Sequence, residues 1–429
     1  PLRCRRPSLQ DWRPVFPAEN YHGPTTPPPG WTHLARSDGF RVAVYDTSDK
    51  PRSTVANVRR GDVLAARRAD TDRTCYDNGQ TGHWWAVPGG FICSTSGFTI
   101  AEALAPLEPP QRRPAVNMPL PFRYARITKD GAPRWGHKPR ASELAACDDL
   151  QPGDPTPSGV IECMWDDFFV ALDHRDTVGD VELLRTVYGE WVRADDVKIL
   201  ETPPLVGEQL DAANPLPIAF VHGADEVDLY CAESEDAAAA PCGVAERYAR
   251  FTPRGFTARD GRSFVRGPED ALVPAESVRI VRSRGRPPGV QPGEQWVHID
   301  LANQAFVAYE GDEPVYASLI SSGKPGHDTP TGLYRVQRKY LSKIMRGHDP
   351  KEGIYHVEEV PWTTYYYGSY AVHGAYWHNT FGAVRSHGCT NVAPADARWL
   401  YYWGEPQLKP QFHAQVKEHA LALYFTRDD

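Results

Sequence analysis

Val372-His373-Gly374-Ala375-Tyr376-Trp377-His378-Asn379-Thr380-Phe381-Gly382-Ala383-Val384-Arg385-Ser386-His387-Gly388-Cys389-Thr390-Asn391 holds a histidine, a run of aromatic and small residues, and then a thiol in a polar turn. A cysteine nucleophile needs a nearby base, backbone N–H groups for the oxyanion, and an exposed tight turn. This stretch can supply all three. Gly388 lets the backbone pass tightly and leaves Cys389 unhindered. His373 lies 16 residues upstream, at the end of the apolar strand Tyr370-Ala371-Val372. A two-strand return over that length can bring its imidazole back to the thiol. A helix expected from Pro394 would help hold a thiolate if its N-terminus pointed there. A lone cysteine is more often a small buried apolar residue; the company of Cys389 argues for chemistry.

Working outward, the flanks read as a small β domain. Trp296-Val297-His298-Ile299-Asp300 alternates, Ala305-Phe306-Val307-Ala308-Tyr309 follows after a short turn, and Glu313 to Ser318 repeats the pattern. A long polar loop then delivers a strand through Thr329-Pro330-Thr331-Gly332-Leu333-Tyr334. A short helix is expected over 338–346, a strand over His356 to Tyr367, a helix over Pro394 to Tyr402, and a closing strand over Leu421 to Phe425.

With these pieces in order, His373-Gly374 plus Ser386-His387-Gly388-Cys389-Thr390-Asn391 resembles the signature of L,D-transpeptidases with a YkuD-type catalytic domain. The Thr329–Tyr334 segment matches another recurrent segment of that domain, and the strands from Trp296 fit its opening. The resemblance covers 294–429, about a third of the chain. It implies a mixed β-sandwich with few short helices, and a peptidoglycan transpeptidase. Cys389 would attack the carbonyl between diaminopimelate and the terminal D-Ala of a tetrapeptide stem and form a thioester. An amine acceptor would then resolve it to a 3→3 cross-link, a D-amino acid exchange or a protein attachment. The alternative in the same fold is an L,D-carboxypeptidase or endopeptidase, in which water resolves the thioester. No cofactor or metal is implied. A zinc site built from His373, His378, His387 and Cys389 lacks a standard ligand spacing.

The resemblance also assigns roles. His373 is the general base and acid, and the Gly374 carbonyl orients it, since the serine found here in some members is absent. Backbone N–H groups around His387, Gly388 and Cys389 would hold the oxyanion, while Ser386 and Asn391 tie the loop together. His387 is a second base or, as is usual in this motif, a hydrogen-bonder near the turn. Arg385 reads equally as a partner for a stem carboxylate or as a solvated charge. Tyr376 and Trp377 read as a wall over the stem or as packing. His378 reads as a loop residue. The short His373–Cys389 interval leaves no room for a large lid there, which points to 338–360 for lid material.

Before this domain the chain repeats itself. Phe91-Ile92-Cys93-Ser94-Thr95-Ser96, Trp191-Val192-Arg193-Ala194-Asp195-Asp196 and Leu272-Val273-Pro274-Ala275-Glu276-Ser277 share one pattern, and each is followed by an alternating tail. Three diverged repeats are expected, at 36–105, 118–202 and 214–284. The Gly82–Ile92 segment resembles the end of a bacterial SH3-like barrel, and Tyr188–Val192 and Gly261–Val265 echo it. The fold expected for the whole is therefore mainly β: three small SH3-like β-barrel repeats ahead of the catalytic domain. SH3-like modules in cell-wall enzymes often target them; the plain alternative is a set of spacers. Pro-rich joints at 106–121, 203–204 and 286–289 separate the units. Residues 1–35, with Pro7, Pro14, Pro17, Pro24 and Pro27-Pro28-Pro29, read as an extended arm, and Glu235 to Ala240 as a solvated loop.

Composition bounds the partners. The net charge is −8 and no Lys/Arg block stands out, so nucleic acid is not an expected partner. Peptidoglycan stem peptides are, with cell-envelope proteins as further acceptors. No stretch is apolar enough to span a membrane as a helix. The chain starts at Pro1 rather than Met, which suggests a processed or trimmed chain, so a missing signal peptide is uninformative. Arg3 makes Cys4 a poor lipidation site, and Cys4 reads as an ordinary arm residue. Of the eight cysteines, Cys75/Cys93, Cys147/Cys163 and Cys231/Cys242 are close in sequence. They read as disulfides of an oxidising compartment, here the periplasm or cell envelope, or as buried free thiols. Cys4 and Cys389 are left over.

Overall fold

The computed structural model describes residues 2–13, 23–39, 41–77, 79–105, 113–150, 154–165, 167–231, 241–259, 261–349, 353–407, 412–416 and 420–427. The C-terminal unit holds, in order, β1 (Gln295–Asp300), β2 (Ala305–Glu310), β3 (Glu313–Ser321), β4 (Gly332–Arg335), β5 (Arg338–Asp349), β6 (Gly353–Tyr367), β7 (Tyr370–Gly374), β8 (Thr390–Val392), α1 (Pro394–Trp403), β9 (Phe412–Val416) and β10 (Ala422–Thr426). The turn after β1 forms because the Asp300 carboxylate accepts the N–H groups of Ala302 and Asn303 at 3.0 and 2.9 Å.

Two sheets result. One runs β3-β2-β1-β10-β4, with β10 parallel to β1 and the other pairings antiparallel. The second runs β8-β7-β6-β5-β9, and only β7 and β8 are parallel within it. The end of β3 pairs with β8 and joins the sheets. Val297, Phe306 and Leu423 from the first sheet meet Trp362, Tyr366 and Val372 from the second, with Trp399 and Tyr401 of α1 packed alongside. Burial of these large apolar side chains is the main force holding the sandwich.

The helix expected over 338–346 is a strand. β5 pairs with β6 on one side and β9 on the other, and Lys339, Leu341 and Ser342 are buried between them. Pairing and packing on both flanks override the local helix preference. The Lys339 ammonium donates to the Gly404 carbonyl at 2.7 Å and to that of Tyr401, both at the end of α1. There a cation meets the negative end of the helix dipole.

The chain is mainly β, and α1 is the one α-helix among the described residues. Three N-terminal regions have their own apolar clusters. Val44, Val58, Leu64 and Ile92 belong to the first, Ile127, Val170, Leu172 and Val192 to the second, and Val221, Leu229, Val265 and Val273 to the third. The second and third end alike: strands Trp191–Arg193 and Leu272–Pro274 each pass through one 3₁₀ turn into strands Val197–Ile199 and Val278–Val281. Each region holds one disulfide: Cys75–Cys93, Cys147–Cys163 and Cys231–Cys242. Cys4 and Cys389 are free.

The arm differs from expectation at both ends. Leu2–Cys4 pairs in parallel with Gly243–Ala245 of the third region, and half-buried Cys4 packs on that region's core. His33–Ser37 is a strand of the first region, paired with 63–66 and 98–101. Pro14, Pro17, residues 106–112 and the loop Glu235 to Ala240 lie outside the described residues.

The regions join the catalytic sheets directly. β9 pairs with strand Thr54–Arg59 of the first region, and Phe168 and Phe169 of the second pair in parallel with His356 and Val357 of β6. Beyond Val357, β6 bulges: Glu358 and Glu359 fall between the pairs Met345↔Val357 and Lys343↔Val360, with Glu359 at φ +45°.

Candidate active site

The parallel pairing of β7 and β8 sets Val372 beside Thr390, His373 beside Asn391 and Gly374 beside Val392. Cys389 immediately precedes β8, two positions before Asn391. His373 is buried, and its Nδ1 lies 3.3 Å from the Gly374 carbonyl. A carbonyl only accepts, so Nδ1 carries the proton and Nε2 is the basic nitrogen. Burial lowers the imidazole to about 4, and the Gly374 contact offsets this in part. Burial pushes the thiol of partly exposed Cys389 up to about 11, against the backbone N–H of Ala371. The Cys389 Sγ makes a weak contact of 3.7 Å with the Ser369 carbonyl. The resting pair is thus a thiol and a neutral imidazole.

Packing explains the glycine after the histidine. A Cβ on Gly374 would stand 3.0 Å from Pro361 Cγ, 3.3 Å from the Pro361 carbonyl oxygen and 3.4 Å from Ala397 Cβ. A serine hydroxyl would have to fit into that same contact.

The turn before Cys389 is tied from two sides. Gly388 sits at φ +114°, and a Cβ there would lie 2.7 Å from the Tyr370 ring, so a side chain is excluded twice over. The Ser386 hydroxyl donates to the Cys389 carbonyl and accepts the Gly388 N–H at 3.1 Å. The Gly388 N–H, expected as an oxyanion donor, is therefore taken; the Cys389 N–H makes no hydrogen bond among the described residues. Thr329 is buried, donates to the Gly388 carbonyl at 2.8 Å and accepts the Gly323 N–H at 2.9 Å. This bridging role was missed in the sequence, although the threonine opens the 329–334 segment that marked it.

The other expected residues scatter. Asn391 is buried, with its amide nitrogen 2.9 Å from His378 Nε2. The Thr380 N–H donates to Nδ1 of the same ring at 3.3 Å, so His378 is a buried tie within the loop. His387 is exposed, 3.3 Å from the Lys324 ammonium and stacked on Tyr355. His373, His378, His387 and Cys389 thus do not converge as a ligand set. Arg385 is exposed and makes no ion pair among the described residues. Trp377 is half-buried, its ring 5.6 Å from that of His373. Tyr376 is packed between regions. It is buried, donates to the Glu358 carbonyl at 2.7 Å and stacks at 3.8 Å on Tyr124 of the second region. β8 and Ala393 separate Cys389 from the first residue of α1 along the chain. The dipole effect fades within a turn.

Comparisons with solved structures return L,D-transpeptidases. A cysteine-to-serine mutant of the Enterococcus faecium L,D-transpeptidase is 20% identical with a TM-score of 0.26, over 32% of this chain and 50% of that one. An L,D-transpeptidase from Xylanimonas cellulosilytica is 24% identical with a TM-score of 0.22, over 33% of this chain and 64% of that one. L,D-transpeptidase 3 from Mycobacterium tuberculosis, in complex with a faropenem-derived adduct, is 18% identical with a TM-score of 0.26, over 41% of this chain and 78% of that one. The chain thus spans half the length of the Enterococcus structure it matches. The comparison with curated proteins returns no match. Among family models, that of the L,D-transpeptidase catalytic domain, YkuD, matches residues 294–410. That segment of the chain is a YkuD-family L,D-transpeptidase catalytic domain.

Proposed function

We propose that the chain is a peptidoglycan L,D-transpeptidase in which Cys389 is the nucleophile and His373 the proton carrier. The observation that supports this reading is the β7–β8 register, which pairs His373 with Asn391, two residues after Cys389, with His373 Nδ1 held by the Gly374 carbonyl. Cys389 Sγ attacks the diaminopimelate carbonyl of a tetrapeptide stem while Nε2 of His373 takes the thiol proton. The Cys389 N–H is the donor left for the oxyanion. Collapse breaks the C–N bond, the leaving D-Ala amine takes the proton from His373, and a thioester remains. An acceptor amine attacks the thioester, passes its proton through His373 back to sulfur, and leaves with the new amide bond. We read half-buried Trp377, whose ring lies 5.6 Å from that of His373, and exposed Arg385 as substrate contacts.

The disulfides fit an extracytoplasmic protein, and the periplasm or cell envelope is where such a substrate lies. No helix among the described residues is long and apolar enough to cross a membrane. We read the N-terminal regions as SH3-like modules at 36–105, 118–202 and 214–284, on the evidence of their separate cores, one disulfide each and the matching strand–turn–strand endings of the second and third.

The test is incubation with disaccharide-tetrapeptide stems and mass analysis of the products. Dimers linked 3→3, absent with Cys389→Ala, are expected. Tripeptides without dimers would replace the transferase with an L,D-carboxypeptidase. A carbapenem adduct on Cys389 checks the nucleophile separately.

A further inference from the structure

The loop that links His373 to Cys389 has no regular structure between Ala375 and Arg385. Its backbone groups therefore need partners outside it. The catalytic domain supplies some: the Ser321 hydroxyl donates to the Thr380 carbonyl at 3.1 Å, and the Gly382 N–H donates to the Ile320 carbonyl at 2.8 Å. The third N-terminal region supplies the others. Arg247 donates to the Asn379 carbonyl at 2.6 Å, Arg279 donates to the Gly382 carbonyl at 2.9 Å, and the Tyr248 hydroxyl accepts the Phe381 N–H at 3.2 Å. Gly382, at φ +94°, lies against this region: a Cβ there would lie 2.9 Å from His222 Cβ. The second region grips the other end of the loop through the Tyr124–Tyr376 stack.

We infer that Arg247, Tyr248 and Arg279 of the third region are positioning residues for the reaction, holding the 379–382 segment and through it the register of His373 against Cys389. This rests on the functional reading above. The path is short. Residues 379–382 adjoin His378, which is tied to Asn391, and Asn391 sits beside His373 across β7 and β8. A guanidinium on a backbone carbonyl is a charge-assisted bond that fixes direction as well as distance. The region thus acts as part of the catalytic scaffold as well as any targeting it performs.

The experiment uses the full chain with Arg247→Met/Arg279→Met, with Tyr248→Phe, and with Arg262→Gln, exposed and paired with Glu276 of the same region, as a control. The readouts are the rate of Cys389 acylation by a carbapenem across pH, steady-state kcat and KM on stems, and hydrogen exchange of the 378–382 amides. The double variant should lose about tenfold to a hundredfold in acylation rate, the scale of a misplacement near 1 Å. The loss should fall on kcat, the 378–382 amides should exchange faster, and the remaining rate should climb with pH as thiolate forms without the imidazole. Arg247→Lys/Arg279→Lys should recover part of the rate, and Arg262→Gln should match wild type. A double variant with wild-type kcat and pH profile, or one slowed only through lost thermal stability, overturns the inference. A wild-type protein that neither acylates nor turns over stems overturns the functional reading instead.

Discussion

Two sites on adjoining strands handle burial in opposite ways. Around Cys389 and His373 the buried groups are neutral. The imidazole is held by a carbonyl, the turn by a serine and a threonine, and among the described residues no carboxylate contacts the Cys389 thiol or the His373 imidazole. At the β6 bulge the burial is of charge. Arg134 of the second region reaches Glu358 at 2.8 Å and Glu162 at 2.8 Å, with Glu190 against it as well. Glu359, fully buried, accepts from the Tyr188 and Ser342 hydroxyls and lies 3.5 Å from Arg41 of the first region. Buried charge tolerates few geometries, since removing one partner strands the other. The molecule places it where separate regions meet one catalytic strand, and keeps it away from the sulfur, where a fixed charge would bias the proton transfer.

The largest effect should come from breaking the neutral site. His373→Gln keeps a polar side chain but cannot take up the thiol proton, and acylation of Cys389 by a carbapenem should fall by about 10²–10⁴. The pH profile of the wild type sharpens the point. With the imidazole lowered to about 4, His373 stays a competent base from neutrality down toward that value. The acid limb of acylation should therefore lie near 4; a limb near 6.5 would mean that the site is not the dry, neutral one described. Stability follows the same sign. Between about 4 and 6.5 the unfolded chain binds the proton that folded His373 refuses, so this contribution is lost as pH falls through that window.

Arg134→Met addresses the charged site. It leaves Glu358 buried without its cation and should destabilise the fold by about 3–5 kcal/mol, measured by urea unfolding above pH 8, where Glu358 is ionised. Arg134→Met combined with Glu358→Leu should be less unstable than Arg134→Met alone, because the stranded charge is gone. A single variant of wild-type stability would show that the guanidinium does not secure the joint.

Glu358 itself gives a smaller, pH-dependent effect. One guanidinium faces three carboxylates, and burial of Glu358, the deepest of them, pushes it up to about 8. Between the usual glutamate value and about 8 the unfolded chain releases a proton that the folded chain keeps. Wild-type stability should then decline as pH rises through that window, by at most about 1.4 kcal/mol per unit. Glu358→Gln cannot titrate, so its stability relative to wild type should rise over the same window. Parallel curves for the two proteins would remove Glu358 as the titrating group.

The contrast also explains what the sequence disclosed. The neutral site is built from neighbours: Ser386, Gly388 and Cys389 act within one turn, and His373 is one strand away. Residue types in order carry nearly all of that information. The joints are built from partners far along the chain. Tyr376 meets Tyr124, Glu358 meets Arg134, and β5 becomes a strand because 412–416 pairs with it. An aromatic next to a catalytic glycine reads as a substrate wall until its stacking partner is known. Two adjacent glutamates in a strand point to opposite faces unless a bulge intervenes, as it does here, with both buried. Gly388 was legible as a tight turn, while the capture of its N–H by Ser386 depended on a rotamer.

The smallest effect lies where the two sites come closest. Gly374 supplies the carbonyl that faces His373, and its Cα packs on Pro361, just past the bulge in β6. Gly374→Ala adds a single methyl into contacts of 3.0–3.4 Å. Overpacking on that scale should cost about 1 kcal/mol in urea unfolding. Where β6 gives way by moving from β7, that displacement also moves the carbonyl that holds Nδ1. Acylation should therefore slow by more than the stability loss accounts for, at pH values where the protein is fully folded. If the rate is unchanged while stability drops, the carbonyl's position is set independently of the Pro361 contact, and the two sites do not communicate through this glycine.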